Sequence, residues 1–302
     1  MSSKRIPLTF LFGLDRFYLQ FGYVGCLPSY RLKTTVSELA KLKTSLAIQP
    51  CERKHLPEVL RLYEAASARS PGSVVRTLEQ LRFAFRRWRL LEGGLRGVAA
   101  QVLLFREKKG KRGVRAYLIW RDNALWEAGL EPGDEAAAVS LLAYLRDRRK
   151  EALEREVILP NLSPAHPLWR YAQRFNHGTE SSFSWTGGGM GRIVDVAAFL
   201  KAVGPELEGR LNAAGLDAEC RLHLAVDGED HFLNLGRGHL LAMGARETRV
   251  LKVTCTQQAL LQMALGCLPW HSIPGVKAEG ERSLMGVLFP EAFPIMYRLD
   301  HF

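Results

Sequence analysis

Apolar positions follow a helical spacing in some parts of the chain and a strand spacing in others, which predicts a mixed α+β or α/β fold. Leu56, Val59 and Tyr63, for example, recur at the spacing of one helix face, whereas short apolar runs between turn residues predict strands. The longer helices are predicted over residues 56–67, 77–91, 135–155, 196–207 and 256–265. The strands are predicted over residues 7–12, 22–32, 46–50, 98–105, 114–121, 124–128, 157–160, 220–226, 231–235, 240–242 and 248–253.

These elements fall into three segments along the chain. Residues 1–43 contain a strand, a short helix and a further strand, which is too little structure to bury a core alone. Residues 44–187 follow the order of a helix pair, a meander of three strands, a long helix, a strand and a short helix. The third segment, residues 188–302, opens on a glycine-rich run at 187–191, which we interpret as a flexible joint. The Asp227-Gly228 pair then predicts a hairpin.

An aromatic run near the start of the chain carries the first candidate chemistry. It reads Phe17-Tyr18-Leu19-Gln20-Phe21-Gly22-Tyr23 and resembles the Tyr-x-x-Phe-Gly-Tyr/Phe segment of GCN5-related N-acetyltransferases (GNAT enzymes). The resemblance implies that Tyr18 protonates the departing thiolate of coenzyme A. A phenol suits this task because its ordinary pKa of about 10 keeps it protonated at neutral pH. The structural alternative is a turn whose aromatic residues close the edge of a sheet.

The C-terminal part of the chain resembles the third region of Eis-type (enhanced intracellular survival) acetyltransferases. The resemblance rests on residues 192–200, on residues 284–290 and on the final Asp300-His301-Phe302. In that family the free carboxylate of the last residue is the general base, which implies that role for the α-carboxylate of Phe302. The family's domain order implies the C-terminal part of a first GNAT domain, a second GNAT-like domain and a sterol-carrier-like α+β domain, over residues 1–43, 44–187 and 188–302.

The resemblance implies transfer of an acetyl group from acetyl-CoA, the co-substrate, to an amine. Phe302 would deprotonate the amine through its carboxylate, and Tyr18 would protonate the thiolate. Because the chain contains only the final elements of a first GNAT domain, we expect an incomplete or inactive form and assign no cofactor-binding residue. The alternative hypothesis is a non-catalytic binding or scaffold protein that holds an apolar ligand through its third domain.

The loop at residues 129–136 bears on the second domain. GNAT domains place an Arg/Gln-x-x-Gly-x-Gly/Ala loop at this point, so that amides at a helix N-terminus hold the pyrophosphate of the cofactor. Here Glu131, Asp134 and Glu135 make the loop acidic. Acidic side chains stabilise a helix N-terminus themselves, and they would repel the diphosphate of the cofactor. We therefore expect the second domain to be structural.

Composition limits the binding partners and the cellular location that the sequence can indicate. The chain is 47% hydrophobic and 24% charged, which fits a globular protein, and no apolar run approaches the roughly 20 residues that cross a bilayer. Five scattered cysteines without a Cys-x-x-Cys pair favour the cytoplasm and predict neither a disulfide framework nor a metal site. The net charge of +11 comes without a recognised nucleic-acid module, so a nucleic-acid partner is the less favoured interpretation. Self-association into a homo-oligomer is compatible with this pattern.

Overall fold

The computed structural model describes residues 6–90, 100–108, 113–121, 123–216, 220–235 and 249–300. These residues form a mixed α+β structure, as predicted. The helices are α1 (Asp15–Tyr18), α2 (Leu56–Ser67), α3 (Leu78–Leu90), α4 (Glu135–Glu151), α5 (Pro167–Ala172), α6 (Val196–Ala213), α7 (Gln257–Leu265) and α8 (Ser283–Leu288). The strands are β1 (Leu8–Leu14), β2 (Val24–Leu27), β3 (Ser29–Thr35), β4 (Leu46–Pro50), β5 (Gln101–Glu107), β6 (Val114–Arg121), β7 (Ala124–Leu130), β8 (Glu156–Pro160), β9 (His177–Ser182), β10 (Thr186–Ile193), β11 (Cys220–Val226), β12 (Glu229–Leu235), β13 (Arg249–Cys255) and β14 (Lys277–Gly280).

The described residues separate into two compact units, each built from distant stretches of the chain. Unit 1 contains the residues up to Pro28 together with Phe183–Pro294, and unit 2 contains Ser29–Ser182 together with the tail that starts at Ile295. These units follow contacts within the structure, whereas the boundaries at residues 43 and 187 follow from the family resemblance. Those boundaries stay a prediction.

Unit 2 contains the sheet order β4-β5-β6-β7 and a second sheet of order β8-β3-β9. Successive residues of a strand point to opposite faces, and residues 116–120 of β6 are buried without a break. Both faces of β6 are therefore covered, and helices α2 and α4 both pack against it. The meander β5-β6-β7 followed by α4 and β8 has the predicted order.

Threonine side chains cap the starts of two helices. In α3, the backbone N–H of Gln80 donates to Thr77 Oγ1 at 3.2 Å, and the Thr77 N–H donates to Gln80 Oε1 at 2.8 Å. In α7, the Ala259 N–H donates to Thr256 Oγ1 at 3.2 Å. Each cap satisfies amide groups that have no partner within the helix.

Unit 1 contains the sheet orders β1-β10-β2 and β12-β11-β13-β14. The predicted hairpin at Asp227-Gly228 is confirmed, since β11 and β12 pair antiparallel with Val226 opposite Glu229. Both turn residues have a positive φ, 51° and 88°, which is the conformation that a two-residue hairpin turn requires. Strand β11 also pairs parallel with β13.

The interpretation of the glycine-rich run at residues 187–191 as a flexible joint is wrong. The run lies in β10, the middle strand between β1 and β2. Gly189 lies opposite Leu27, and a Cβ atom added at Gly189 would come within 2.6 Å of the Leu27 Cβ. The glycine allows close approach of two strands and so serves packing rather than flexibility.

This packing predicts opposite effects for two glycine substitutions. Gly189→Ala should lower the free energy of unfolding by about 1–3 kcal/mol, because the added methyl group overpacks the sheet. Gly209→Ala is the matched control, since Gly209 lies on α6 with no atom within 4 Å of an added Cβ. That change should raise stability by about 0.5–1 kcal/mol, the usual difference between glycine and alanine in a helix. Urea unfolding measures both, and equal effects would contradict the packing role of Gly189.

Candidate functional site

The aromatic run forms the turn that connects α1 to β2. Helix α1 ends at Tyr18, a 3₁₀ turn follows over Leu19–Phe21, and Gly22 adopts a φ of 79°. Glycine favours this left-handed conformation because it has no Cβ. The Gly22 N–H donates to the Leu19 carbonyl at 3.0 Å, and the Tyr23 N–H donates to the Tyr18 carbonyl at 3.3 Å. The glycine thus closes the turn and directs the chain into β2.

Tyr18 is half-buried in an aromatic environment within unit 1. Its ring centroid lies 5.0 Å from that of Phe17 and 5.8 Å from that of Tyr23, both in edge-on geometry, which aromatic pairs prefer. Gly13 makes room for the ring, because a Cβ atom there would come within 2.4 Å of Tyr18 Cε2. The position of the Tyr18 ring therefore requires a glycine at position 13 of β1.

The hydroxyl groups of the two tyrosines differ in their partners. The Tyr23 hydroxyl accepts a hydrogen bond from Thr9 Oγ1 at 3.1 Å. The Tyr18 hydroxyl has no hydrogen-bond partner among the residues that the structure describes. A phenol of this kind can donate its proton to a bound ligand.

Apolar side chains around the turn are exposed. Phe17 and Phe21 are 51% and 48% exposed, Trp185 is 75% exposed, and the Arg16 guanidinium lies 5.6 Å from the centroid of the Trp185 ring. Clusters of exposed aromatic side chains mark contact surfaces more often than single exposed residues do. The turn that carries Tyr18 therefore borders an apolar surface.

The predicted base, Phe302, lies outside the described residues, which end at Asp300. Asp300 itself belongs to a buried group of charges in unit 2 that the sequence analysis did not single out. Arg76 donates from Nη1 and Nη2 to both carboxylate oxygens of Glu127, at 2.8 and 2.7 Å. Arg76 also donates from Nε and Nη2 to both oxygens of Asp300, at 2.9 and 2.8 Å. We call Arg76, Glu127 and Asp300 the Arg76 cluster.

The Arg76 cluster is almost fully removed from water. The side chains of Arg76, Glu127 and Asp300 are 6%, 0% and 9% exposed. The Arg76 guanidinium lies 3.8 Å from the centroid of the Tyr63 ring, and the Tyr117 hydroxyl donates to Glu127 Oε1 at 2.6 Å. The cluster thus combines two bidentate ion pairs with a cation–π contact and a buried hydrogen bond.

Burial and ion pairing act in opposite directions on the pKa values around the cluster. The pKa of Asp300 is raised, with burial as the largest cause and Arg76 opposing it. Burial also raises the pKa of Tyr117 well above its usual value, so this phenol remains a hydrogen-bond donor at neutral pH. Although burial disfavours its charge, the carboxylates of Glu127 and Asp300 hold the pKa of Arg76 above its usual value.

One part of this cluster has a signal in the sequence. Glu127 lies in the middle of an apolar strand, Ala-Leu-Trp-Glu-Ala-Gly-Leu, and a buried carboxylate needs a cation. Its partner is not readable from spacing, because Arg76 is 51 positions from Glu127 and 224 positions from Asp300. The sequence therefore indicates a buried ion pair without identifying it.

The acidic loop between β7 and α4 is neutralised by its own contacts. Asp134 accepts the Ala137 N–H at 3.0 Å as the N-cap of α4. Arg115 donates to both oxygens of Asp134, at 2.6 and 2.7 Å. The carboxylate of Asp134 thus lies at the helix N-terminus, where an anionic ligand would otherwise be stabilised.

The other two acids of this loop are also paired, Glu131 with Arg61 and Glu135 with Arg174, the latter at 2.7 Å. The loop borders a cavity of about 270 Å³ whose wall also includes Arg69 and Arg170. The acids are therefore matched by cations, and Gly133, with a φ of 83°, closes the turn.

A second cavity lies in unit 1 between α6 and β12. Its volume is about 590 Å³, and Leu200, Pro205 and Leu233 contribute apolar surface while Lys201 and Glu208 contribute charge. An apolar ligand with a polar end would suit such a lining.

Among the described residues, no group of three or more His, Cys, Asp or Glu side chains is arranged to hold a metal ion. Within the same ranges, no helix has the length and apolar character needed to span a bilayer.

No protein-family model matches the sequence, and no curated protein matches it. Solved structures do match the fold. One is the GCN5-related N-acetyltransferase from Anabaena variabilis, at 16% identity and a TM-score of 0.65 over 98% of this chain and 73% of that chain. Another is the GCN5-related N-acetyltransferase from Kribbella flavida, at 19% identity and a TM-score of 0.62 over 99% of this chain and 71% of that chain.

Eis1 from Mycobacterium abscessus is also similar, at 14% identity and a TM-score of 0.53 over 98% of this chain and 73% of that chain. At these identities the likeness shows the fold, which is a GNAT-like α/β fold. The predicted fold class is confirmed.

The Arg76 cluster predicts a large and pH-dependent loss of stability for Arg76→Gln. Removing the cation leaves two buried carboxylates unpaired, which should lower the free energy of unfolding by about 3–5 kcal/mol at pH 7.5. Burial already raises the pKa of Asp300, and loss of the opposing effect of Arg76 would raise that pKa further above its unfolded value. The folded state then binds a proton more readily than the unfolded state, so stability recovers as pH falls toward that raised pKa.

Arg69→Gln is the control, because Arg69 is exposed and its replacement should change stability by less than about 0.5 kcal/mol. Urea unfolding at pH 7.5 and 5.5 measures both variants. A loss for Arg76→Gln that does not shrink at the lower pH would contradict the electrostatic account.

Proposed function

We propose that this protein is an Eis-type N-acetyltransferase that uses acetyl-CoA to acetylate an amine, with Tyr18 as general acid and the Phe302 α-carboxylate as general base. The observation that carries the proposal is the half-buried Tyr18, whose hydroxyl has no partner among the described residues, on an aromatic turn closed by Gly22. The fold similarity to two GCN5-related N-acetyltransferases, and to Eis1, supports the same activity.

The proposed reaction is a direct transfer. The Phe302 carboxylate accepts a proton from the amine, whose nitrogen forms a bond to the thioester carbonyl carbon. The carbon–sulfur bond then breaks, and the sulfur takes a proton from the Tyr18 hydroxyl. The Asp134 carboxylate at the start of α4 argues against coenzyme A binding at that helix end, which supports the assignment of the middle segment as non-catalytic.

The proposal includes the domain order suggested by resemblance. Residues 1–43 correspond to the end of a first GNAT domain, residues 44–187 to a second GNAT-like domain, and residues 188–302 to a sterol-carrier-like domain. A cytoplasmic location follows from the same assignment. The amine is proposed only as a class, because polyamines and aminoglycosides would offer the same reacting group.

A second candidate function is ligand binding without catalysis. The cavity of about 590 Å³ between α6 and β12 favours it, because apolar and charged side chains lie together in its lining, which suits a ligand with an apolar body and a polar end, such as a fatty acyl or sterol ligand. In that case the tyrosine turn would be a structural closure of the sheet.

The acid role predicts a selective effect of Tyr18→Phe. The change deletes only the phenolic proton donor, so kcat should fall at least about tenfold, since positioned proton transfer contributes roughly 10²–10⁴-fold. Tyr23→Phe is the matched control, because its hydroxyl is engaged with Thr9, and its kcat should change less than about threefold, within one hydrogen bond's contribution. The measurement is thiol release from acetyl-CoA with a polyamine or an aminoglycoside, on this chain and on a form extended upstream in its reading frame.

Equal rates for the two variants in an active protein would remove Tyr18 from the acid role. No acetyl transfer by either form, together with saturable binding of a fatty acyl or sterol probe, would favour the second candidate function.

The base role predicts sensitivity to the position of the terminal carboxylate. One glycine appended after Phe302 moves that carboxylate by roughly 3.5 Å, the reach of one extended residue. The kcat should fall at least about tenfold, while the midpoint of thermal unfolding, measured as the control, should stay unchanged. Unchanged turnover would mean that the base lies elsewhere.

A further inference from the structure

The cavity in unit 1 lies between one face of α6 and the core-facing side of β12. The α6 part of its lining is Ala197, Leu200, Lys201, Gly204, Pro205 and Glu208. These positions recur at spacings of three and four residues, so they share one face of the helix. On β12, Leu233 lies opposite Leu222, whose side chain is buried. Because cross-strand partners point to the same side of a sheet, the cavity lies on the core side of β12.

His231 brings a polar atom to this side of β12. It lies opposite Leu224, which is buried, and it is part of the cavity lining. Its Nε2 atom is buried without a hydrogen-bond partner among the residues that the structure describes. Buried polar atoms normally have a partner, and leaving one unpaired costs free energy. The nitrogen is therefore available to a ligand in the cavity.

Two residues of the cavity wall are unfavourable for the helix that carries them. Gly204 and Pro205 lie inside α6, where both residue types destabilise a helix. A Cβ atom added at Gly204 would lie 4.0 Å from Leu233 Cδ2, so any side chain larger than that of alanine would reduce the space between α6 and β12. Such locally unfavourable residues are expected at functional sites.

The charged side chains of the lining lie toward different ends of the cavity. Lys201 and Glu208 are seven residues apart on α6, which is about 10 Å along the helix axis. Neither has an ion-pair partner among the described residues. The third charged residue, Asp230, contacts His223, with 2.6 Å between its Oδ1 and the His223 Nε2. One end of the cavity therefore has an unpaired cation and the other an unpaired anion.

The direction of β12 assigns His231 to one of these ends. Seven residues along the chain separate Ala213, the last residue of α6, from Cys220, which lies opposite Leu235. This short link indicates that the C-terminal ends of α6 and β12 lie at the same end of the cavity. His231, near the start of β12, then lies toward Lys201 and away from Glu208.

We propose that this cavity binds a carboxylic acid with an unbranched apolar chain, whose carboxylate is held by His231 and Lys201. With its proton on Nε2, the imidazole donates a hydrogen bond to one carboxylate oxygen, and the ammonium group of Lys201 binds the other oxygen through a charge-assisted hydrogen bond. The chain packs along Leu200 and Leu233. The α6 part of the lining, from residue 197 to residue 208, is about 16 Å long, which suits a fatty acid of medium length.

This site rests on the second candidate function and narrows it to one ligand class. None of its residues takes part in the proposed acetyl transfer. The site can therefore be present or absent independently of that activity.

The head group is tested by calorimetric titration of the full chain with dodecanoate, dodecanol and dodecylamine, each below its micelle concentration. Dodecanoate should bind at least about tenfold more tightly than dodecanol, which corresponds to one hydrogen bond to a charged group. Equal affinities for these two probes would overturn the carboxylate site and leave only apolar binding. Tighter binding of dodecylamine would assign the polar end to Glu208 and also overturn the proposal. Binding of none of the probes would overturn both the site and the second candidate function.

Two histidine variants test the role of the unpaired nitrogen. His231→Phe keeps a ring and removes the donor, so dodecanoate affinity should fall at least about tenfold and dodecanol affinity less than about threefold. His223→Phe is the matched control, because His223 lies opposite the exposed Phe232 on the other side of the same sheet. Its affinity for dodecanoate should stay within about twofold. Equal losses in both variants would overturn the role of His231.

The two ends of the cavity are separated by Lys201→Met and Glu208→Gln. Lys201→Met should weaken dodecanoate binding at least about fivefold, because it removes the cation and keeps the length of the side chain. Glu208→Gln should leave the affinity unchanged or raise it, since an anion repels the carboxylate. A loss for Glu208→Gln as large as that for Lys201→Met would overturn the orientation of the ligand.

A measurement without ligand tests whether the nitrogen of His231 is truly unpaired. His231→Phe should raise the midpoint of thermal unfolding by roughly 2–4 °C, because it removes a buried polar atom that has no partner. A lowered midpoint would mean that the imidazole has a structural hydrogen bond, for example to a buried water molecule, and would overturn its role in ligand binding.

Discussion

Pairing between strands that are far apart in the chain is the constraint on which this structure depends. Strand β10 lies between β1 and β2, with Leu8 opposite Ile193 and Gly191 opposite Val24. Strand β3 lies in the same way between β8 and β9. The first 35 residues therefore supply strands to both units, and the turn that carries Tyr18 connects two strands whose shared partner is β10. The backbone at both ends of that turn is consequently held by sheet hydrogen bonds.

Close packing of this sheet requires the glycines of β10 and β1. Gly189 allows the approach of Leu27, and Gly13 allows the approach of the Tyr18 ring. A side chain at either position would separate surfaces that now touch. The candidate acid thus depends on residues that carry no chemistry of their own, because they determine how deeply its ring can pack.

Arginine side chains neutralise buried and half-buried carboxylates throughout unit 2. Arg76 pairs with Glu127 and Asp300, and Arg115 pairs with Asp134. Part of the positive charge, at Arg76 and Arg115, therefore serves buried and half-buried carboxylates of the unit. The physical reason is the cost of burying a carboxylate, which only a hydrogen-bonded cation can offset.

The sequence by itself determined the elements whose signals are local. Helix α2 and strands β6 and β11 have the predicted bounds, because apolar spacing and turn residues report on neighbours a few positions away. The aromatic run around Tyr18 forms a turn, which was the structural alternative in the sequence analysis, while the acid role of Tyr18 stays a prediction. The sequence pattern did not predict strand β9, because its residues are polar and mostly exposed. It did not predict strand β10 either, because a run of glycines is also typical of a flexible segment.

Only the tertiary structure decided which residues meet. The Arg76 cluster joins positions separated by 51 and 224 residues, and no periodicity links them. The role of the glycines in β10 also became visible only with Leu27 opposite them, because a glycine chosen for close approach and a glycine chosen for flexibility look the same in a sequence. Local spacing reports local hydrogen bonds and one buried face, whereas ion pairs and strand partners are selected by the packing of the whole unit.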